Sequence, residues 1–129
     1  LYPILAKARN GMLSVQPPSK SKECAAAKRY IDENFSENIT LDKLAEITHV
    51  NKYYLSHTFQ REYNTSPINY LLNRRITESK ALLTSTDFSL TQISEQMGFS
   101  SPAYFSQSFR RFTGQSPLEY RRKNQPGKK

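Results

Sequence analysis

The chain has 129 residues, enough for one domain or for two small ones that share a core. Lys and Arg outnumber Asp and Glu by 19 to 11, and the formal net charge of +8 favours a polyanionic partner, although many soluble proteins are equally basic. The one cysteine excludes an intramolecular disulfide and a cysteine-based zinc cluster, and no apolar run approaches the ~18 residues of a membrane span, so we expect a protein of the reducing cytoplasm without membrane association.

Residues 1–22 are predicted to lie outside the folded part of the chain. The first 15 are mildly apolar, and the QPPSKSK stretch that follows has the prolines, serines and lysines of a solvated linker. The chain also opens with Leu1 instead of methionine. We therefore expect this segment to be the tail of a missing upstream domain together with a linker.

A first helix is predicted from Glu23 onward. Cys24, Ala27, Ile31 and Phe35 recur at helical spacing and give this helix one apolar face. The face places Cys24 against the core. A reactive thiol and a small buried hydrophobe are the two interpretations of this cysteine, and the buried hydrophobe is favoured.

Residues 39–70 and 88–120 carry the same pattern twice. The first copy reads ITLDKLAEITHVNKYYLSHTFQREYNTSPINY and the second reads FSLTQISEQMGFSSPAYFSQSFRRFTGQSPLEY. Each predicts a helix, a tight turn and a second helix with an open polar face, an arrangement that places a helix in the major groove of DNA. Thr40 and Ser89 are predicted to cap the first helix of each copy, and Ser89 forms a capping box with Gln92.

The turns of the two copies differ in one instructive residue. Gly98 can take the left-handed conformation that ends a helix, and His49 stands at the matching position. We interpret His49 as a turn residue and not a ligand, because no second ligand lies at metal-binding spacing. One extra residue, near Ser100, lengthens the second turn. The further matched caps and stops are Asn51 and Ser101, Asn64 and Gly114, and Ser66 and Ser116.

A single helix is predicted over residues 67–84, between the two copies. At ~1.5 Å per residue it is roughly 27 Å long, against ~34 Å between successive major grooves on one side of B-DNA. Lateral offset and DNA bending can make up the difference. Arg74 and Arg75 on this helix are candidates for phosphate contacts, with solvated surface arginines as the alternative. Its apolar stripe consists of Ile68, Leu71, Leu72, Ile76 and Leu83.

The second helix of each copy is predicted to present small or hydrogen-bonding side chains on the face away from its core. Such groups read base edges, and cations beside them hold phosphates. An ordinary solvated helix face is the alternative, but it would be richer in Glu and Lys. The face comprises Tyr53, Ser56, His57 and Gln60 in the first copy, with Lys52 and Arg61 at its margins. It comprises Ala103, Ser106, Gln107 and Arg110 in the second, with Arg111 at the margin.

Residues 23–123 closely resemble the DNA-binding domain of AraC-type bacterial transcription regulators. The resemblance is carried by the pattern GFSSPAYFSQSFRRFTGQSPLEYR, preceded by LTQISEQM and by a more divergent first copy. It implies two helix-turn-helix units that bind adjacent major grooves through a long connecting helix. It also implies an upstream effector-binding or dimerisation domain, and a regulator that most often activates transcription.

The resemblance also carries base-reading positions onto this chain. In many family members an arginine follows the serine in the second helix of each unit, the recognition or reading helix. This chain has His57 and Gln107 at those positions. Because glutamine pairs well with adenine and arginine with guanine, the family's usual target preference does not carry over. The implied positions are Tyr53, Ser56 and His57 in the first unit, and Pro102, Ala103, Ser106 and Gln107 in the second.

Together these observations predict an all-α, homeodomain-like fold of about seven helices. Two helix-turn-helix subdomains, 23–66 and 85–123, flank the linker helix 67–84, and residues 124–129 are expected to form a disordered basic tail. Thr40, Ser89 and the helix N-termini are expected to anchor DNA phosphates together with Lys52, Arg61, Arg110 and Arg111.

The predicted function is sequence-specific binding of double-stranded DNA within a bacterial transcription regulator, most simply an activator that contacts RNA polymerase. We expect no cofactor, a monomeric fragment and a dimeric full-length protein. A non-specific or architectural nucleic-acid binder is the alternative. An enzyme, such as a DNA repair methyltransferase carrying a related module, is disfavoured because no Cys/His or Ser/His/Asp constellation supports catalysis.

Overall fold

Seven α-helices and no strand make up residues 21–125, the part of the chain that this computed structural model describes. This confirms the all-helical fold with two helix-turn-helix units and a long connecting helix. The expectations for residues 1–20 and 126–129 fall outside the described residues. The helices are α1 (Lys22–Asn34), α2 (Leu41–Thr48), α3 (Lys52–Tyr63), α4 (Pro67–Ser85), α5 (Leu90–Met97), α6 (Pro102–Thr113) and α7 (Pro117–Asn124).

Side-chain caps begin the helices where the sequence predicted them. Each capping oxygen accepts one of the backbone N–H groups that the first turn leaves unpaired. Ser89 with Gln92 and Ser116 with Glu119 form full capping boxes. The predicted caps, all confirmed, are Thr40, Asn51, Ser66, Ser89, Ser101 and Ser116.

Four residues with positive φ end the helices of the two repeats. His49 has φ 62° and Gly98 has φ 89°, and each closes the first helix of its unit. Asn64 (φ 63°) and Gly114 (φ 83°) close the second helices. The interpretation of His49 as a turn residue in the left-handed conformation is therefore confirmed.

Two apolar clusters share α4 as a common wall. The first cluster lies among α1, α2, α3 and the start of α4, with Phe59 fully buried; the second lies among α4, α5, α6 and α7, with Phe105 and Phe109 fully buried. On α4, Leu71 belongs to the first cluster and the next residue, Leu72, to the second. One helix thus positions both units relative to each other.

Cys24 lies in the first cluster and is fully buried. Burial raises the pKa of its thiol, which keeps the sulfur protonated and unreactive. Its placement supports the interpretation of a small core hydrophobe. No helix within residues 21–125 is long and apolar enough to cross a membrane.

Candidate DNA interface

Helix α3 buries one side against the core and presents a face of polar and aromatic side chains on the other. Leu55, Thr58 and Phe59 are buried and pack toward α1, α2 and α4. On the other side Tyr53 is 72% exposed, and the sequence-predicted His57 and Gln60 are exposed as well, with Ser56 half-buried. Asn51 accepts hydrogen bonds from the N–H groups of Tyr53 and Tyr54 and begins the helix at this face.

Helix α6 repeats this arrangement position by position. Phe105, Ser108 and Phe109 are buried, and Ser106 is half-buried. The other predicted base-reading residues, Pro102, Ala103 and Gln107, are exposed, as is the predicted phosphate contact Arg110. The burial classes of residues 53–67 equal those of residues 103–117 at every position with an offset of 50. Both helices therefore offer the same outward positions, and only the side chains at those positions differ.

A tyrosine pair on these faces was missed by the sequence analysis. Tyr54 is 48% exposed and Tyr104, its equivalent 50 residues on, is 37% exposed. The ring of Tyr104 packs edge-on against Phe99, with 5.6 Å between ring centroids. A phenol hydroxyl can donate a hydrogen bond to a phosphate or a base. The repeated tyrosine at an offset of 50 was the signal that could have identified this pair.

Two cations, Lys52 and Arg61, lie at the margins of the polar face of α3. The Lys52 ammonium lies 3.1 Å from Asp42 Oδ1, and this hydrogen bond, with the carboxylate charge, raises the pKa of Lys52. It also lies 5.6 Å from the centre of the Tyr53 ring. Arg61 is exposed in the last turn of the helix. Both cations border the face that carries His57.

The cations beside α6 are exposed and lightly paired. An Arg110 guanidinium nitrogen lies 3.5 Å from Glu119 Oε1, and the Arg110 side chain is 62% exposed. Arg111 donates a hydrogen bond of 2.6 Å to Asn69 Oδ1 on α4. Exposed pairs of this kind contribute little stability, and phosphates can displace them.

Thr40 and Ser89 occupy equivalent places at the N-termini of α2 and α5. Each hydroxyl oxygen accepts a backbone N–H, from Lys43 in one case and Gln92 in the other. A hydroxyl that accepts through its oxygen still has a proton to donate, and both residues are exposed. This geometry suits contacts with phosphate at a positively polarised helix end.

Arg75 corrects the sequence-based expectation of a phosphate contact. Its side chain is almost fully buried, at 6% exposure, and its Nε and an Nη donate to the carbonyl oxygens of Phe35 and Glu37 at 2.6 and 2.7 Å. A buried guanidinium that donates to two backbone carbonyls is poorly placed to meet a DNA phosphate. Arg74 is half-buried and paired with Asp32 and Glu78, which makes it a weak candidate for a phosphate contact.

Arg121 serves the second unit as Arg75 serves the first. It donates to the carbonyl oxygens of Leu83, Thr86 and Phe88, at the connection that leads from α4 into α5. Arg75 likewise holds the connection from α1 into α2. Two of the chain's cations are thus structural. Within residues 21–125, no group of three or more His, Cys, Asp and Glu side chains is placed to hold a metal ion.

The comparisons with known proteins place the chain among helix-turn-helix regulators. The family described as "Helix-turn-helix domain" matches residues 44–123. The chain is 41% identical over 93 residues to the uncharacterized HTH-type transcriptional regulator YdiP of Escherichia coli K12, a match that covers 72% of this chain and 31% of YdiP. The chain spans about a third of the length of the curated relatives it matches.

Two solved structures share the fold over most of the chain. One is a probable AraC family transcriptional regulator from Rhodopseudomonas palustris, with 26% identity, a TM-score of 0.74 and coverage of 82% of this chain and 100% of that one. The other is the DNA-binding domain of the global transcriptional factor AdpA in complex with a target DNA, with 26% identity, a TM-score of 0.73 and coverage of 78% and 91%.

Proposed function

The chain belongs to the AraC-type family of helix-turn-helix transcription regulators, whose domains of this kind bind specific sequences in double-stranded DNA, and from this premise we propose how its two units read their target. In the proposal, α3 and α6 enter adjacent major grooves and read two unlike segments of one asymmetric site. The observation that carries it is the identical burial pattern of the two helices combined with different exposed side chains.

The unlike segments follow from the chemistry of each face. The first face offers a phenol, a hydroxyl and an imidazole from Tyr53, Ser56 and His57. Gln60 follows one turn later on the same helix. The second offers the methyl group of Ala103, which suits a thymine methyl, and the amide of Gln107, which suits adenine N6 and N7. One protein presenting two different faces has no reason to prefer a palindrome.

The cations and hydroxyls at the margins position the protein without reading sequence. In the proposal Thr40 and Ser89 bind phosphates at the N-termini of α2 and α5, and the exposed arginines Arg61, Arg110 and Arg111 bind phosphates beside the reading helices, with Lys52. Arg74 contributes at most a peripheral contact because its guanidinium is already paired.

The wider regulatory role is also part of the proposal. The chain covers only about a third of the length of its relatives. In the proposal, the rest of such a protein holds an effector-binding or dimerisation domain, which would make the regulator dimeric and controlled by a ligand. Activation through contact with RNA polymerase, in the cytoplasm where bacterial DNA lies, is the mode that the family favours.

The base-reading assignment is tested on duplexes that the chain enriches from a random-sequence library. We expect His57→Ala and Gln107→Ala each to weaken binding to the enriched duplex by about 1 to 3 kcal/mol, roughly 5-fold to 150-fold, and to change binding to unrelated DNA much less. Each loss should map to a different segment of the site, as measured by fluorescence anisotropy on duplexes with one segment replaced.

Thr77→Ala is the matched control, since Thr77 is exposed on α4, outside both reading helices. It should leave both affinities unchanged. Equal losses on enriched and unrelated DNA for His57→Ala and Gln107→Ala would reject base reading. Failure of the library to yield any common sequence would favour the alternative of a non-specific binder.

A further inference from the structure

A short connection in the first unit contacts the second unit. Phe35, Ser36 and Glu37 begin the connection from α1 to α2, and Arg75 of α4 donates hydrogen bonds to the carbonyl oxygens of Phe35 and Glu37. The Arg75 guanidinium also lies 5.5 Å from the centre of the Phe99 ring, which belongs to the turn of the second unit. Arg75 therefore touches backbone of one unit and an aromatic ring of the other.

Gly98 brings the second turn directly against this connection. A Cβ atom added at Gly98 would lie 2.5 Å from the Ser36 carbonyl oxygen and 2.9 Å from its carbon, closer than real contacts allow. Positive φ alone does not require glycine, because His49 adopts φ 62° at the equivalent position. Gly114 has a similar φ of 83°, yet a Cβ there would meet nothing within 4 Å. The glycine at 98 is thus explained by the close approach of the two units.

The other end of α6 is attached as well. Arg111, in its last turn, donates to Asn69 in the first turn of α4. Phe35 and Ile68 each pack against both apolar clusters. The N-terminal side of α6 is therefore held to the first unit, whereas its C-terminal end meets α4 only through an exposed hydrogen bond.

We propose that this junction, defined as Phe35, Ser36, Glu37, Arg75, Gly98 and Phe99, sets the separation and angle of α3 and α6, so that the chain accepts one spacing between the two segments of its DNA site. The inference rests on the proposed two-groove function. It assigns Arg75 and Gly98 as positioning residues that contact no DNA themselves.

The geometry of DNA explains why a rigid junction would select one spacing between the two segments. Each added base pair moves the second segment ~3.4 Å along the duplex and rotates it by roughly 35° about the axis. A pair of helices joined only by one linker helix could adjust through twisting of the connections. A pair also joined through the junction cannot follow that rotation without breaking the contacts of Arg75 and Gly98.

The first test needs no DNA. Spin labels at Glu46→Cys on α2 and Glu95→Cys on α5, two equivalent exposed positions, report the distance between units in the full chain with Cys24→Ala as background. Pulsed electron paramagnetic resonance should give one narrow distance distribution. Arg75→Met and Gly98→Ala should broaden or shift it, whereas Gly114→Ala should not. A broad distribution in the parent, or an equal change in the control, would overturn the inference.

The second test measures spacing on the enriched duplex with one base pair inserted between its segments. The parent chain should lose about tenfold or more in affinity, and Gly98→Ala should lose markedly less relative to its own uninserted duplex, with Gly114→Ala behaving like the parent. Parent binding that tolerates the insertion rejects the junction inference. If the parent chain binds equally well to a duplex in which the second segment is replaced, the two-groove function itself is rejected.

Discussion

One buried hydroxyl group, that of Ser94, distinguishes the core of the second unit from the similar core of the first. Ser94 is 1% exposed, and its hydroxyl has no hydrogen-bond partner within the described part of the chain. The equivalent residue of the first unit is Ala45, which has no hydroxyl to satisfy. A buried hydroxyl without a partner carries its desolvation cost uncompensated. The second unit therefore retains an avoidable source of instability that the first unit lacks.

We expect Ser94→Ala to raise the free energy of unfolding by about 1 kcal/mol, because it removes the unpaired hydroxyl and improves helix propensity. Chemical denaturation monitored by circular dichroism measures the change. Ser79→Ala is the matched control, since the Ser79 hydroxyl is also fully buried but donates 2.7 Å to the carbonyl oxygen of Ile76. It should be neutral or destabilising. A loss of stability in Ser94→Ala would contradict this assignment.

At the level of elements, the two capping boxes differ in their response to pH. Gln92 closes the box of α5 with a neutral amide, whereas Glu119 closes that of α7 with a carboxylate that accepts the Ser116 N–H at 2.8 Å. This backbone hydrogen bond, followed by the charge of Arg110, lowers the pKa of Glu119. A carboxylate with a depressed pKa stabilises the folded state above its unfolded pKa and loses that contribution as pH falls through the folded value.

We predict that the parent chain is more stable than Glu119→Gln at pH 7 and that the difference fades as pH falls through the depressed pKa of Glu119. Thermal denaturation from pH 7 to pH 3 gives the comparison. Gln92→Glu is the converse variant and should acquire the same dependence on pH at α5. If the difference between parent and Glu119→Gln is independent of pH, the carboxylate does not act through the cap.

The caps and stops could be predicted from the sequence because their partners lie within a few residues. Ser89 and Gln92, or Gly98 and its preceding helix, carry their own local signal. The role of Arg75 could not be predicted, since its carbonyl partners lie 38 and 40 residues away and only the tertiary fold brings them to α4. An even longer separation in sequence, from Ser36 to Gly98, hid the contact that explains why position 98 is glycine and position 49 is not.

At the level of the whole molecule, the net charge of +8 overstates the charge offered to DNA. The guanidinium groups of Arg75 and Arg121 donate hydrogen bonds to backbone carbonyls within the fold, and Arg74 is paired with two carboxylates. The exposed arginines beside the reading helices remain available. Affinity and its dependence on salt should therefore follow the exposed cations and not the total charge.

Arg111→Ala is expected to weaken binding to enriched and unrelated duplexes alike, and to reduce the slope of log affinity against log salt by about one. A series of binding isotherms between low and moderate salt measures this slope. Arg121→Ala removes the same charge from an internal position and should leave the slope unchanged. Identical slopes in the parent and Arg111→Ala would show that Arg111 meets no phosphate.

The unequal faces of α3 and α6 have a consequence for everything that meets this protein on a chromosome. In the proposed complex His57 and Gln107 meet different segments of the site, so only one orientation of the chain satisfies both side chains. In that complex the chain has a fixed direction along the duplex. A protein that approaches along the DNA from upstream would contact a different surface of the chain from one that approaches from downstream. Inverting the site would exchange these two surfaces.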